Sequence, residues 1–323
     1  MKIALLSANW RDALGEALFA AFTVGVLIFG LPEISHIVHA AEVKQATYKT
    51  PQEAVEALVA AVRAENPSAA IVDVLGPEGE EIAASGDPVA DEMRRTRFLE
   101  AFQQKHSVQQ ADPTNAVLIV GEDEFPFPVP LVTANGKWRW DTPKGLEEVL
   151  NRRIGENELA TIEVMRGYVA AQLEYADEER DGKGIQYARR LVSSKGRKDG
   201  LYWPVEEGES PSPIGPLIAE AQSKGYSGAG TGAAYNGYVF RMLYGQGANA
   251  SDGARDYIVN DRMIGGFALI ARPAEYDNSG VMTFIVNHDG VVYEKDLGPD
   301  TEKAAAAIKL FDPDPSWKKI EQE

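Results

Sequence analysis

The chain contains no cysteine, and other residues that often carry chemistry are scarce. Only 4 of its 323 residues are histidine. The lack of cysteine excludes disulfide bonds, thiolate catalysis and zinc sites built on thiolates. Basic residues are in the minority, because 32 lysines and arginines stand against 49 aspartates and glutamates, for a net charge of −17. Nucleic acids and anionic membranes bind basic surfaces, so this charge argues against both as partners.

Two further kinds of site are missing or limited. The glycine-rich stretch at 225–232 has no Lys-Ser or Lys-Thr pair and no flanking strand and helix, so it predicts a flexible loop and not a phosphate-binding loop. Once the first forty residues are removed, as argued next, the remaining histidines are His106 and His288. A Ser-His-Asp triad is then possible around only one of them.

The first forty residues differ from the rest of the chain. Lys2 and Arg11 precede an uncharged run at 17–31, and small residues follow. This order is typical of a secretory signal peptide, here with cleavage after Ala40 or Ala41. The run is shorter than the roughly 20 residues of a membrane-spanning helix, and an uncleaved N-terminal membrane anchor is the alternative. We therefore expect a periplasmic or secreted protein with no membrane contact after cleavage.

The length suggests about two domains after the signal peptide at 1–40. The first, at 41–150, is expected to be a cystatin-like or nuclear-transport-factor-2-like α+β domain, with helices followed by a curved antiparallel sheet. Thr50 and Pro51 predict the start of its first helix, because a threonine N-cap and a proline at the first helical position both favour one. A second helix is expected over 89–105.

One strand of this domain carries prolines at every second position. Pro126, Pro128 and Pro130 lie within an extended stretch at 125–132. Alternate amides of a strand point to the same edge, so these prolines would remove the hydrogen-bond donors along one edge. The pattern therefore predicts an edge strand.

A hairpin is predicted directly after this strand. Asn135-Gly136 is a strong signal for a two-residue turn. The strand that follows places Trp138 and Trp140 on one face, where they are candidates for the wall of a ligand-binding pocket. The alternative is that both indoles belong to the hydrophobic core.

The second domain, at 151–323, is expected to be a pilin-like α+β domain. A short helix at 146–154 is predicted to end at Gly155, and a long amphipathic helix to begin at Asn157. Antiparallel strands are expected over 237–244, 256–259, 266–271, 281–287 and 291–296.

This long helix and the strands after it resemble the globular part of type IV pilins and pseudopilins. The residues that carry the resemblance are Asn157-Glu158, Tyr168, Ala171-Gln172, Tyr175, Thr283-Phe284, Val286 and Gly290-Val291. The helix is internal and is not joined to a hydrophobic assembly helix. The resemblance therefore implies a pilin-like fold without fibre formation.

Seven further blocks extend over nearly the whole mature chain. They lie at 50–55, 85–90, 126–132, 152–155, 199–204, 263–268 and 284–290. In these blocks the chain resembles an exported bacterial family known only as a domain of unknown function, number 2950. The resemblance implies export and a shared fold, and it implies no activity.

The end of the long helix is a candidate calcium site. Asp177 and Asp181 supply the oxygen atoms that calcium prefers. Acidic residues are unfavourable at a helix C-terminus, so they need compensation from Arg180, from Lys183 or from a bound cation. The alternating ligands of an EF-hand loop are absent, and an ordinary glycine-rich turn is the alternative.

Two loop segments carry the remaining candidates. Tyr202 and Trp203 lie in glycine-rich, polar surroundings, which predicts an exposed pair that stacks on a sugar or a peptide. The alternative is that they fill the gap between the long helix and the sheet. The segment at 287–290, Asn-His-Asp-Gly, is interpreted as a hairpin turn.

These observations predict a non-enzymatic binding or scaffolding module of the cell envelope. Its partner would be an envelope protein or polymer, and calcium is the only ligand ion that the sequence suggests. The alternative is a hydrolase that acts on an envelope polymer through a pair of carboxylates near Trp203. Such a pair should lie about 5 to 10 Å apart in a cleft, with one member shielded from water.

Overall fold

The structure is a computed structural model that describes residues 44–227 and 233–321. The predicted signal peptide, with its cleavage site and the alternative anchor, lies outside the described residues. Within them the helices are α1 (Pro51–Val62), α2 (Pro67–Leu75), α3 (Gly79–Ala83), α4 (Pro88–Gln104), α5 (Thr142–Ala176), α6 (Gly215–Ser223) and α7 (Thr301–Ala307). In this part of the chain, no helix combines the length and the apolar character that crossing a bilayer requires.

The strands of the described residues are short and mainly antiparallel. In chain order they are β1 (His106–Asp112), β2 (Asn115–Val120), β3 (Phe125–Pro126), β4 (Leu131–Ala134), β5 (Lys137–Trp140), β6 (Tyr238–Leu243), β7 (Gly245–Gln246), β8 (Arg255–Asp256), β9 (Ile258–Val259), β10 (Arg262–Met263), β11 (Ala268–Pro273), β12 (Met282–Asn287), β13 (Val292–Asp296) and β14 (Lys318–Lys319). Helices and strands together confirm the α+β class that the sequence predicts.

Three of the first four helices begin in the same way. Thr50, Asn66 and Asp87 each accept a hydrogen bond from an amide of the first helical turn, and each is followed by proline. The side chain satisfies a donor that has no partner within the helix, and proline has the backbone angle of a first helical residue. The predicted start of α1 is therefore confirmed.

The first sheet has the order β1-β2-β4-β5, and β3 also pairs with β2. The single edge strand predicted over 125–132 is wrong, because this stretch forms β3, a break and then β4, which has neighbours on both sides. Pro128 and Pro130 cannot donate hydrogen bonds, so the ladder is interrupted between the two strands. The break packs against the first turn of α5, where a side chain on Gly145 would lie 2.5 Å from the Cα of Val129.

The hairpin at Asn135-Gly136 is confirmed. Both residues have positive φ angles, 55° and 72°, as a tight hairpin turn requires. Trp138 and Trp140 lie on the same face of β5 and are buried against α1. The indole of Trp140 donates a hydrogen bond of 3.3 Å to the carbonyl of Ala54.

Helix α5 is 35 residues long. The expected break at Gly155 is wrong, since the helix continues through this residue. Glycine costs about 1 kcal/mol in a helix interior, which is small beside the packing of Arg153 and Asn157, both buried on either side of it. The boundary that we predicted between residues 150 and 151 therefore lies inside α5.

The second sheet has the order β14-β13-β12-β11-β6 and is antiparallel. Its strands β6, β11, β12 and β13 confirm four of the five predicted strand positions. At the remaining position, 256–259, β9 covers only the end. The second half of α5 packs on this sheet, with Met165, Tyr168 and Tyr175 buried. A second hydrophobic core is thereby formed beside the one under the first sheet.

Asp87 connects the beginning of α4 to the beginning of β6. One carboxylate oxygen, Oδ1, accepts from the amide of Ala90, at 3.0 Å. The other, Oδ2, accepts from the hydroxyl of Tyr226 and from the amide of Gly237, each at 2.8 Å. Asp87 is 1% exposed. Burial and the neighbouring carboxylate raise the pKa of Tyr226, so its hydroxyl stays protonated and acts as the donor.

Arg153 makes a second connection of this kind. Its guanidinium donates to the carbonyls of Glu81 and Ile82, at 2.7 and 2.8 Å, and to the side chain of Asn278 in the loop between β11 and β12. Burial lowers the pKa of Arg153 to about 10, so the group is charged at neutral pH. A guanidinium presents several donors in a rigid fork, which suits the binding of separate carbonyls.

Candidate functional site

A narrow apolar pocket lies between α5, α6 and the second sheet. Its cavity volume is about 70 Å³, and the pocket opens to solvent. Its walls come from all three elements, among them Val164 and Tyr168 of α5, Leu217 and Ala221 of α6, Phe240 of β6 and Leu269 of β11. Among the described residues that line it, none is charged. Ligand sites of proteins are commonly apolar concavities, although most of them are larger than this one.

The sequence of α6 explains how it covers the pocket. Leu217, Ile218 and Ala221 fall on one face of the helix at helical spacing, and this face points inward. Ala219 and Gln222 lie on the exposed face. Ala221 is 1% exposed and has the smallest side chain on the inner face. A small residue at this position leaves the space that a larger side chain would fill.

The polar group that Tyr168 contributes to the pocket wall is already engaged. The hydroxyl of Tyr168 donates to the carbonyl of Ala268, at 3.3 Å, and accepts from the amide of Gln172, at 3.1 Å. Burial raises the pKa of Tyr168, so this phenol is uncharged at any physiological pH. Because the hydroxyl of Tyr168 makes its hydrogen bonds within the protein, a ligand does not need a polar group to pair with it. The interior of the pocket therefore favours an apolar group.

Charged residues come close to the pocket at Tyr235. Burial raises the pKa of Tyr235, while the positive charge of Lys224 opposes this effect. The ammonium of Lys224 lies 2.6 Å from the carboxylate of Glu220. Arg97 also acts on Lys224 through its charge. Lys224 and Glu220 thus lie near this side of the pocket, and Arg97 and Glu92 lie beyond Lys224.

The structure places the predicted aromatic pair at the end of α5. The expectation that both residues are exposed is wrong for Trp203, which is 6% exposed. Its ring lies 6.4 Å from that of Tyr175, and the cations of Arg180 and Lys198 lie 5.5 and 5.3 Å from it. Tyr202 is half-buried against the same core. The pair packs into the second core beside α5, because packing removes a large apolar area from water. That the pair fills the gap between the long helix and the sheet stays a prediction.

The other predicted aromatic residues are placed in the first core. Trp138 is 8% exposed and Trp140 is fully buried, so neither ring lines the pocket under α6. The structure brings them together with each other and with α1, and it does not bring them to Tyr202 or Trp203. A ligand-binding role for these four residues stays a prediction.

The predicted calcium ligands lie in the turn that follows α5. Both oxygens of Asp181 accept from the amide of Gln186, at 2.9 Å. Arg180 donates to the carbonyls of Glu174 and Tyr175, and this bond satisfies the end of the helix, as the sequence predicts. Within the described residues, Asp177 and Asp181 do not belong to a cluster of three metal-ligating side chains. Calcium binding at this turn stays a prediction.

The carboxylate nearest in sequence to Trp203 among those with a perturbed pKa is Asp199. Burial alone would raise its pKa, but hydrogen bonds from Ser194 and the charges of Arg197 and Arg190 lower it. A general acid of a glycoside hydrolase needs the opposite shift. Asp199 is thus suited to hold its loop together, through bonds of 2.7 and 3.0 Å from the amide and the hydroxyl of Ser194.

The segment at 287–290 forms the turn that the sequence predicts, between β12 and β13. His288 is nevertheless packed, since its ring contacts those of Tyr257 and Phe267 edge to face. A Cβ on Gly266 would lie 2.7 Å from Nδ1 of His288, so only glycine permits this approach. Burial lowers the pKa of His288, and the imidazole is therefore neutral at physiological pH.

The described fold is that of a mixed α+β protein, and an apolar pocket lies on its second sheet. A family model described as "Protein of unknown function (DUF2950)" matches residues 45–320. The chain belongs to this family, and the family resemblance predicted from the sequence is confirmed. Neither the curated proteins nor the solved structures contain a match to the chain. The cystatin-like and pilin-like descriptions of its two halves stay predictions.

The sequence by itself does not reveal this pocket. Its lining residues come from separate segments between 164 and 269, and none of them forms a motif. The one local signal is the apolar inner face of α6 with an alanine in its last turn. That signal is typical of any helix that packs on a sheet, so it does not distinguish a filled interface from one with a gap.

Proposed function

We propose that the protein is an exported, non-enzymatic binding module that holds a slender apolar chain in the pocket under α6. The observation that carries the proposal is the pocket itself, whose walls are mainly apolar and whose Tyr168 hydroxyl is hydrogen-bonded within the protein. A ligand there gains free energy by removal of apolar surface from water. An acyl chain has the shape and the chemistry that such a narrow pocket accepts.

The charges beside Tyr235 support an amphipathic ligand. The ammonium of Lys224 lies near this side of the pocket, where its charge acts on Tyr235. A carboxylate or phosphate head group is attracted to this ammonium, whereas the protein as a whole repels anions. We propose that the head group lies near Lys224 and that the chain extends towards Ala221. Export to the envelope, which the N-terminal segment predicts, gives access to ligands of this kind.

Titration calorimetry with fatty acids tests the proposal. Dodecanoate is expected to bind with one site per chain, and decanoate more weakly. Each buried methylene contributes about 0.8 kcal/mol, so the loss of two methylenes costs about 1.6 kcal/mol, or roughly tenfold in Kd. A head group that bound alone would show no dependence on chain length.

A pair of tryptophan variants locates the binding site. Leu217→Trp places a large ring in the pocket and is expected to weaken dodecanoate binding at least about tenfold. Gln222→Trp places the same ring on the exposed face of α6 and is expected to leave binding unchanged. Thermal unfolding of both variants shows whether the fold is kept. Absence of saturable binding, or equal binding by the two variants, would refute the proposal.

A further inference from the structure

A cluster of possible metal ligands lies beside the turn between β12 and β13, on residues that the pocket does not use. Asp252, His288 and Asp289 each offer one ligand atom, and these atoms lie within 4.8 Å of one another. Nε2 of His288 and Oδ1 of Asp289 are 3.7 Å apart. Two ligands on a tetrahedral ion with bonds of about 2.1 Å are separated by roughly 3.4 Å. The exposed Asp252 needs to move only slightly to complete the set.

Arg255 determines which nitrogen of His288 faces the cluster. Its Nη2 lies 2.6 Å from Nε2 of His288 and 3.3 Å from a carboxylate oxygen of Asp252. A guanidinium only donates hydrogen bonds, so Nε2 accepts and the ring proton is on Nδ1. Nδ1 is buried and has no hydrogen-bond partner among the described residues. The lone pair on Nε2 therefore points at the guanidinium of Arg255. A metal ion requires the same arrangement of a neutral histidine.

Asp289 is held by its other oxygen. Oδ2 accepts from the hydroxyl of Ser251, at 2.7 Å, and from the amide of Asn287, at 3.3 Å. These bonds leave Oδ1 directed towards His288. Outer hydrogen bonds of this kind orient the carboxylate ligands of metal centres and increase metal affinity. The turn thus has an oriented nitrogen and an oriented oxygen before any ion binds.

We propose that Asp252, His288 and Asp289 form a site for a transition-metal dication, and that Arg255 occupies the position of the ion when the metal is absent. One imidazole and two carboxylates favour Zn²⁺ or a similar ion over Ca²⁺ and Mg²⁺, which prefer oxygen atoms alone. The guanidinium supplies a positive charge to the same three groups. Binding of the metal therefore requires Arg255 to turn outward, and its side chain is exposed enough to do so.

Calorimetric titration of the full chain with Zn²⁺ tests this site. The wild-type protein is expected to bind one ion with an affinity that Asp252→Asn reduces at least about tenfold. Arg255→Gln removes the competing cation and is expected to increase the affinity severalfold. Asp252 and Arg255 are both exposed, so neither substitution should impair folding. Thermal unfolding verifies this.

Two control variants separate the site from unspecific binding. Asp256→Asn removes an exposed carboxylate from the same loop region, and His106→Asn removes the other histidine of the described residues. Both are expected to bind Zn²⁺ as the wild type does. The proposal is overturned if neither the wild type nor Arg255→Gln binds saturably at millimolar Zn²⁺. It is also overturned if His106→Asn abolishes binding while Asp252→Asn retains it.

Discussion

Replacement of Asp87 by asparagine is expected to destabilise the protein by about 3 to 4 kcal/mol. The substitution conserves shape, and the amide oxygen can still accept from Ala90 at the start of α4. In the wild type, Oδ2 accepts from Tyr226 and Gly237 at 2.8 Å each. In the variant an amide NH₂, which cannot accept, takes the place of Oδ2. Two buried donors lose their acceptor, and each such loss costs about 1 to 3 kcal/mol. The hydroxyl of Tyr226 can rotate away, whereas the amide of Gly237 cannot.

A double-mutant cycle in urea unfolding isolates the contact. Tyr226→Phe removes one donor and is expected to cost about 1 kcal/mol. In the double variant the two effects should fall short of additivity by about 1 kcal/mol, because both act on one hydrogen bond. Asp73→Asn makes the same chemical change at an exposed residue of α2 and should change stability little. A cost for Asp87→Asn no larger than that of Asp73→Asn, or full additivity with Tyr226→Phe, would refute the reasoning.

Two further predictions concern stability. Arg153→Met leaves three acceptors without a donor and should lower the free energy of unfolding in urea by about 3 kcal/mol. Arg152→Met, at an exposed neighbour, should lower it far less. Equal losses for the two variants would contradict the role given to Arg153. Hydrogen bonds from Thr114 lower the pKa of Asp112 to about 2. Because its folded-state pKa lies below the unfolded value, its stabilisation is present above pH 4 and is lost as the pH falls towards 2. The difference in melting temperature between Asp112→Asn and the wild type should therefore vanish over that range; a constant difference would contradict it.

Elements with a local cause could be predicted from the sequence. The start of α1 follows from Thr50 and its proline, because the cap acts within one turn of helix. The hairpin at Asn135-Gly136 follows from two residues that tolerate positive φ angles. The burial of Trp138 and Trp140 on one face follows from the two-residue period of a strand. Each of these inferences needs only residues that are close in sequence.

Predictions failed where distant segments decide the outcome. The proline-rich stretch leaves the sheet between β3 and β4 because Gly145 lets it pack against α5. The sequence of the stretch does not indicate that α5 packs there. Gly155 does not end a helix because buried neighbours on both sides outweigh its intrinsic cost. Trp203 is buried because Tyr175, almost thirty residues away in sequence, lies beside it.

The sequence by itself determined the α+β class, the family, the absence of cysteine and the acidic net charge. These properties depend on composition, on local periodicity and on blocks of neighbouring residues. Only the tertiary structure decided where the pocket lies and which side chains meet at Asp252, His288 and Asp289. A cavity is space that packing leaves between distant segments. A cluster of side chains depends on the distances between such segments. Neither quantity exists until the chain has folded.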